Sequence, residues 1–115
     1  MSNAADIALL AIRALDRANN VIANNITNVN TGGFQKSRAA TAQAVTGGVT
    51  PSVERMNTPV DTVTIRGGSR GEQTSNVNLE EELIALAANR HTYDTNIETL
   101  KTTEEMQGTL FDLLR

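Results

Sequence analysis

Few residues in this 115-residue chain are equipped for chemistry. There is one histidine, His91, and no cysteine. A Ser–His–Asp nucleophile would have to recruit His91, which sits among Arg90, Thr92 and Tyr93 in a stretch with helical spacing. A surface or seam histidine is the simpler reading. The lack of cysteine removes disulfides and thiolate metal ligands, and is neutral about compartment. Glu80–Glu82 and Glu104–Glu105 read as helix-surface charges, because neighbouring helical positions diverge rather than converge on a substrate. Gly32-Gly33-Phe34-Gln35-Lys36-Ser37 holds the ingredients of a phosphate loop in the wrong order, since the lysine does not directly follow a glycine. Asn25-Ile26-Thr27 has the form of a glycosylation sequon but falls within a predicted helix. The sequence therefore predicts no enzyme, no catalytic or metal-binding residues, no cofactor and no small-molecule substrate.

What remains is a chain built to pack. Aromatic residues make up 3% and tryptophan is absent, so any core must come from Leu, Ile, Val and Ala. A domain of this length buries a modest share of its surface, and helix–helix seams or partners would stabilise it more readily than a deep interior. The formal net charge of −3 is unevenly spread. Residues 1–33 are neutral, residues 34–78 carry five basic and three acidic residues, and residues 79–115 carry three and eight. That balance does not describe a nucleic-acid binder, which needs a clustered basic surface. The lone Arg-Gly-Gly in Arg66–Gly71 does not change this. No apolar run approaches the roughly 18 residues that span a bilayer. The first residues lack a basic n-region and a cleavage pattern, so export, if it occurs, is expected without a conventional signal peptide.

Three regions follow: residues 1–33, 34–74 and 75–115. The first predicts a helix over about residues 3–28, with Asn3 as N-cap and Asp6 in the first turn. Ala5, Ala8, Ile12, Leu15, Ile22, Ile26 and Val29 form a heptad seam once Asn19 is counted as its polar position. A second apolar line, Ile7, Leu10, Ala14, Ala18 and Val21, makes two faces that want partners. Asn19, Asn20, Asn24, Asn25, Asn28 and Asn30 crowd the end of this helix. Asparagine is a mediocre helix former because its amide competes for backbone hydrogen bonds. Such repetition points to amides used in a packed polar interface, against the alternative of a frayed terminus. Thr31-Gly32-Gly33 is expected to end the helix.

The middle region is rich in Thr, Val, Gly and Pro, and both prolines, Pro51 and Pro59, lie there. Val60–Arg66 alternates like a strand and Val49–Met56 offers another. Gly47-Gly48 and Asn57–Asp61 read as turns, and Arg66–Gly71 as a flexible connection. A hairpin-like or extended arm of two or three short strands is expected.

The last region predicts one long helix over residues 79–114. Asn78 and Glu81 have capping-box spacing, and Glu80–Glu82 suit the positive end of the helix dipole. Leu79, Leu83, Leu86, Arg90, Tyr93, Ile97 and Leu100 step by four and three. Thr103, Met106, Leu110 and Leu113 continue after a skipped residue. A helix of this length extends about 54 Å and must project or pair. Gly108, unfavourable inside a helix, marks either a close approach by another chain or local fraying.

Several segments carry a family resemblance. Ala23-Asn24-Asn25-Ile26-Thr27-Asn28-Val29-Asn30-Thr31-Gly32-Gly33-Phe34 resembles the N-terminal signature of the bacterial flagellar rod and hook family. Ser75–Glu82 resembles the start of that family's C-terminal helix. Ala88–Asn96 resembles its Gln-Arg-x-Tyr-x-x-Asn stretch, with Asn89 in place of Gln. Lys101–Leu110 resembles its closing region. The middle is shorter than in the proximal rod proteins and too short for the outer domains of distal rod or hook proteins.

The resemblance implies a mainly α fold in which the two terminal helices pair as an antiparallel coiled coil around a short β-hairpin-like or extended middle. It implies a structural subunit of the basal-body rod that polymerises through those helices and transmits torque. It further implies export through the flagellar apparatus, residence in the envelope-spanning basal body, and contact with other rod and hook axial proteins and with itself. The assembly interface expected on these grounds comprises Ile12, Leu15, Asn19, Ile22, Asn24, Asn25, Ile26, Asn28 and Asn30 on the first helix. On the second it comprises Leu83, Leu86, Arg90, Tyr93, Ile97, Leu100, Met106 and Leu110. The alternative is a stand-alone coiled-coil adaptor or export-chaperone-like module. A membrane-surface protein is disfavoured by the scarcity of Lys and Arg in the N-terminal stretch.

Overall fold

The computed structural model describes residues 4–57, 62–63 and 72–115. Element order is α1 (Ala4–Thr27), β1 (Ser37–Gln43), β2 (Val49–Arg55), β3 (Thr62–Val63), β4 (Glu72–Gln73) and α2 (Leu79–Leu113). The architecture is mainly helical with a small antiparallel hairpin in the middle, as expected. Asn3, the turn at Asn57–Asp61 and the connection Arg66–Gly71 lie wholly or largely outside the described residues, as does most of the strand expected at Val60–Arg66.

Helix α1 stops at Thr27, short of the glycines expected to end it. Its last carbonyls are taken locally. Thr27 Oγ1 donates to Ala23 O, Asn28 Nδ2 to Asn24 O, and Val29 N to Ile26 O. The asparagines thus close the helix themselves, and Gly33 (φ 71°) serves a later turn. Helix α2 is capped by Asn78, whose Oδ1 accepts from the amides of Glu80 and Glu81. The reciprocal half of a capping box is not made: the Glu81 carboxylate instead pairs with Lys36 Nζ at 3.2 Å.

β1 and β2 form an antiparallel hairpin running from Ser37↔Arg55 to Gln43↔Val49. Gly47 and Gly48 turn it with φ of 92° and 85°, values that glycine adopts without a Cβ penalty. A Cβ on Gly48 would lie 2.8 Å from Leu10 Cδ1, so the hairpin tip rests on α1. β3 and β4 make a second, two-residue pair, Thr62↔Gln73 and Val63↔Glu72.

The hairpin and α2 both pack on α1. The second apolar line of α1 meets the hairpin, with Leu10 under its tip and Val21 near Ser37 and Val53. The seam line meets α2. Contacts run in opposite order along the two helices: Ala4 lies beside Thr102–Gln107, Asn19 bonds Asn89, and Asn25 bonds Glu82. Among the described residues the buried apolar core is small: Ala8, Ile12, Ala14 and Ile22, all from α1. The molecule measures 81 × 25 × 13 Å, with a radius of gyration of 20.5 Å. A compact domain of this length would have a radius near 13 Å.

Candidate functional site

Two features stand out: a junction of asparagines where α1, β1 and α2 meet, and a long helix α2 whose large apolar residues the chain mostly leaves uncovered.

Asn25 holds the junction. It is 1% exposed, the most buried large side chain among the described residues. Its Oδ1 accepts from Ser37 N at 3.0 Å, and its Nδ2 donates to Ser37 O at 2.8 Å and to Glu82 Oε2 at 3.2 Å. One amide therefore satisfies both main-chain groups of a strand residue and a carboxylate from the second helix. Glu82 is 8% exposed, which corrects its reading as a surface charge. A carboxylate this buried needs a polar partner, and the Asn25 amide supplies one. Among the described residues, no buried side-chain nitrogen or oxygen lacks a hydrogen bond.

Asn76 builds the second half of the junction from the approach to α2. Lys36 N donates to its Oδ1 at 2.6 Å, and its Nδ2 donates to Gln35 Oε1 and Met56 O, both at 2.9 Å. It ties Lys36 and Met56, just beyond the first residue pair of the hairpin, to the segment entering α2. Asn76, Glu82, Gln35 and Lys36 are absent from the assembly interface expected from sequence; Asn76 and Glu82 both fall in Ser75–Glu82, whose family resemblance is the one signal that points to them.

Higher up, Asn89 Nδ2 donates to Asn19 Oδ1 at 3.1 Å, so the polar seam position predicted at Asn19 meets an amide of α2. The remaining asparagines are used differently. Asn24 is exposed and accepts from Asn28 Nδ2, Asn28 Oδ1 accepts from Thr31 Oγ1, and Asn30 is exposed. Of the apolar residues expected at an interface, Ile12 and Ile22 are buried inside the chain, while Leu15 and Ile26 are half-buried.

The α2 residues are mostly open. Its single buried residue is Glu82. Leu83, Leu86, Ile97, Met106 and Leu110 are exposed, as is Arg90, whereas Tyr93 and Leu100 are half-buried. Leu83, Leu86, Arg90 and Tyr93 line a groove against Asp16 and Asn19 of α1. Toward the C-terminus Met106 and Phe111 are each 68% exposed and Leu113 78%. This region also lacks intrinsic helix strength. Thr95, Thr99, Thr103 and Thr109 each return a hydroxyl bond to the carbonyl four residues back, which accommodates threonine in a helix without favouring it.

The described residues hold no cluster of metal-ligating side chains and no helix long and apolar enough to cross a membrane.

Two known families match the chain. Residues 6–35 match the family described as "Flagella basal body rod protein". Residues 72–113 match "Flagellar basal body rod FlgEFG protein C-terminal". Together the matches span well over half of the chain, and they include Asn25, Asn76, Glu82 and most of the uncovered α2 residues. No curated protein matches the chain.

Proposed function

The chain belongs to the flagellar basal body rod family, a structural and non-enzymatic family, and from that premise we propose that it is a subunit of the rod that polymerises through its two terminal helices. The observation that carries this reading is the number of large apolar side chains that α2 leaves uncovered. Leu83, Ile84, Leu86, Ile97, Met106, Leu110, Phe111, Leu113 and Leu114 are all exposed, on more than one side of the helix. Exposed apolar side chains in such number mark an element that partners cover.

In this reading α1 and α2 act as an antiparallel coiled-coil pair in the innermost layer of a helical tube. Neighbouring axial subunits, including further copies of this chain, cover the exposed residues of α2. The interface comprises Leu15, Asn19, Asn24, Ile26, Asn28 and Asn30 on α1 and its C-terminal turn. On α2 it comprises Leu83, Leu86, Arg90, Tyr93, Ile97, Leu100, Met106 and Leu110. Ile12, Ile22 and Asn25 support it from inside by fixing how the two helices sit. The packed tube passes motor torque from subunit to subunit, across the periplasm. The chain reaches its place through the flagellar export apparatus.

Deleting the gene tests the proposal. The expected result is loss or marked weakening of motility with incomplete flagella, restored by the wild-type chain. A deletion strain with normal flagella and normal swimming would contradict it.

A further inference from the structure

We infer that the Asn25–Glu82 and Asn19–Asn89 contacts set the rotation of α2 about its own axis, turning a polar line of the helix toward α1 and keeping a more apolar line outward. The inference rests on the rod reading for what the outward residues are for; the rotation itself is a property of one chain.

The least exposed residues of α2 are Glu82, Ala85, Asn89, Tyr93, Asn96, Leu100 and Thr103, and the rest are open. They recur at steps of three and four, so they form one line along the helix, the line it turns toward the rest of the chain. Glu82, Asn89, Asn96 and Thr103 on that line are polar. The apolar spacing predicts a different line: Leu79, Leu83, Leu86, Arg90, Tyr93, Ile97 and Leu100. The two lines share Tyr93 and Leu100. Leu83, Leu86, Arg90 and Ile97, however, each lie one position past a covered residue, a step of about 100° around the helix. All four are exposed. Burial of apolar area favours the opposite choice, so another interaction decides which line faces inward.

Two side-chain bonds make that decision. Asn25 Nδ2 donates to Glu82 Oε2 at 3.2 Å, and Asn89 Nδ2 donates to Asn19 Oδ1 at 3.1 Å. Glu82 and Asn89 lie about two turns apart on the same line, so the bonds pin one side of α2 at two heights. Asn96, further along, returns its amide to Thr92 O in its own helix and pins nothing. Beside the pinned line runs a groove of about 580 Å³, lined by Asp16 and Asn19 of α1 and by Leu83, Leu86, Arg90 and Tyr93 of α2. A roll of α2 that brought Leu83 and Leu86 inward would close this groove and carry Glu82 and Asn89 off their partners. Leu83 is 50% exposed and Glu82 beside it 8%, which shows what the pinned rotation leaves uncovered. A polar residue in a helix seam that fixes one arrangement at a cost in stability is an established device. In this chain the arrangement it fixes keeps Leu83, Leu86 and Ile97 available to a neighbouring subunit.

The test uses the free full-length chain, which has no cysteine of its own. A thiol is placed at Ile97, on the outward line, or at Asn96, on the covered line, and its rate of alkylation is measured. In the wild-type background Ile97→Cys should react faster than Asn96→Cys. Glu82→Ala combined with Asn89→Ala removes both contacts, adds no bulk, and leaves Asn25 its bonds to Ser37. In that background the ratio of the two rates should fall by about tenfold, the scale of one to two net hydrogen bonds. Asn89→Ala alone keeps the Asn25 junction whole and should lower the ratio by about threefold; it decides the matter where the double variant does not fold. Faster reaction at both sites would mean loosening without a roll and would overturn the inference. An unchanged ratio would also overturn it, with the rod reading left standing. Absence of the wild-type chain from basal bodies would defeat the rod reading and leave the rotation of α2 untouched.

Discussion

Asn25 and Asn76 do related work from opposite ends of the chain. Each uses one amide to satisfy main-chain groups that no strand or helix partner reaches. Removing the Asn25 amide leaves the outward N–H and C=O of Ser37 and a buried carboxylate without it. Asn25→Ala should therefore destabilise the protein by about 3 kcal/mol, the scale for buried polar groups left unpaired. Asn25→Asp should be at least as damaging, because it replaces the donor toward Glu82 and Ser37 O with an acceptor. Asn24→Ala, at an exposed site, should change stability by less than about 1 kcal/mol. Urea titration of the three variants checks the order. The asparagine run was legible as a polar interface, since so many poor helix formers in one helix call for a reason. Which asparagine turns inward was not legible. Nor was the burial of Glu82 among three consecutive glutamates, because it is decided by a partner 57 residues away.

Among the elements, the long helices were legible from their apolar spacing and from the Asn78 cap. Strand β1 was not. Its sequence, Ser-Arg-Ala-Ala-Thr-Ala-Gln, has no apolar alternation and a single β-branched residue, Thr41, and it is extended because β2 and Asn25 pair with it. The turn glycines were legible, but their seat on Leu10 was not. Gly48→Ala meets both a left-handed φ and the Leu10 side chain. It should cost about 2 kcal/mol, from the roughly 1–2 kcal/mol of the backbone conformation plus the clash. Adding Leu10→Ala should relieve the clash and leave the backbone part, which a double-mutant cycle would separate. Gly108 behaves oppositely. It lies within α2 with open space around it, so Gly108→Ala should stabilise the free chain by up to about 1 kcal/mol. Impaired assembly of that more stable variant would identify Gly108 as a point of close approach. Helix α2 should also show a gradient of amide exchange in the free chain. Residues 79–90, held at the junction, should exchange slowly, and residues 103–114, with exposed apolar groups and many threonines, quickly. Uniform protection along α2 would contradict this account of where its stability comes from.

At the scale of the whole molecule, shape carries the argument. A chain with a radius of gyration of 20.5 Å, and with four buried apolar residues among those described, has the form of a component rather than of a finished globule. The absence of cysteine makes the central claim directly testable, since any introduced thiol is unique in the chain. Cysteine placed at Leu110 or at Leu86, both exposed on α2, can be oxidised against a cysteine on a neighbouring axial subunit in isolated basal bodies. The measurement is the fraction of chain shifted into cross-linked species on a non-reducing gel. The account predicts extensive, reducible cross-linking from Leu110→Cys and Leu86→Cys, and little from Ser52→Cys on the hairpin. A chain that is present in basal bodies yet stays uncross-linked at both α2 positions would contradict assembly through the terminal helices.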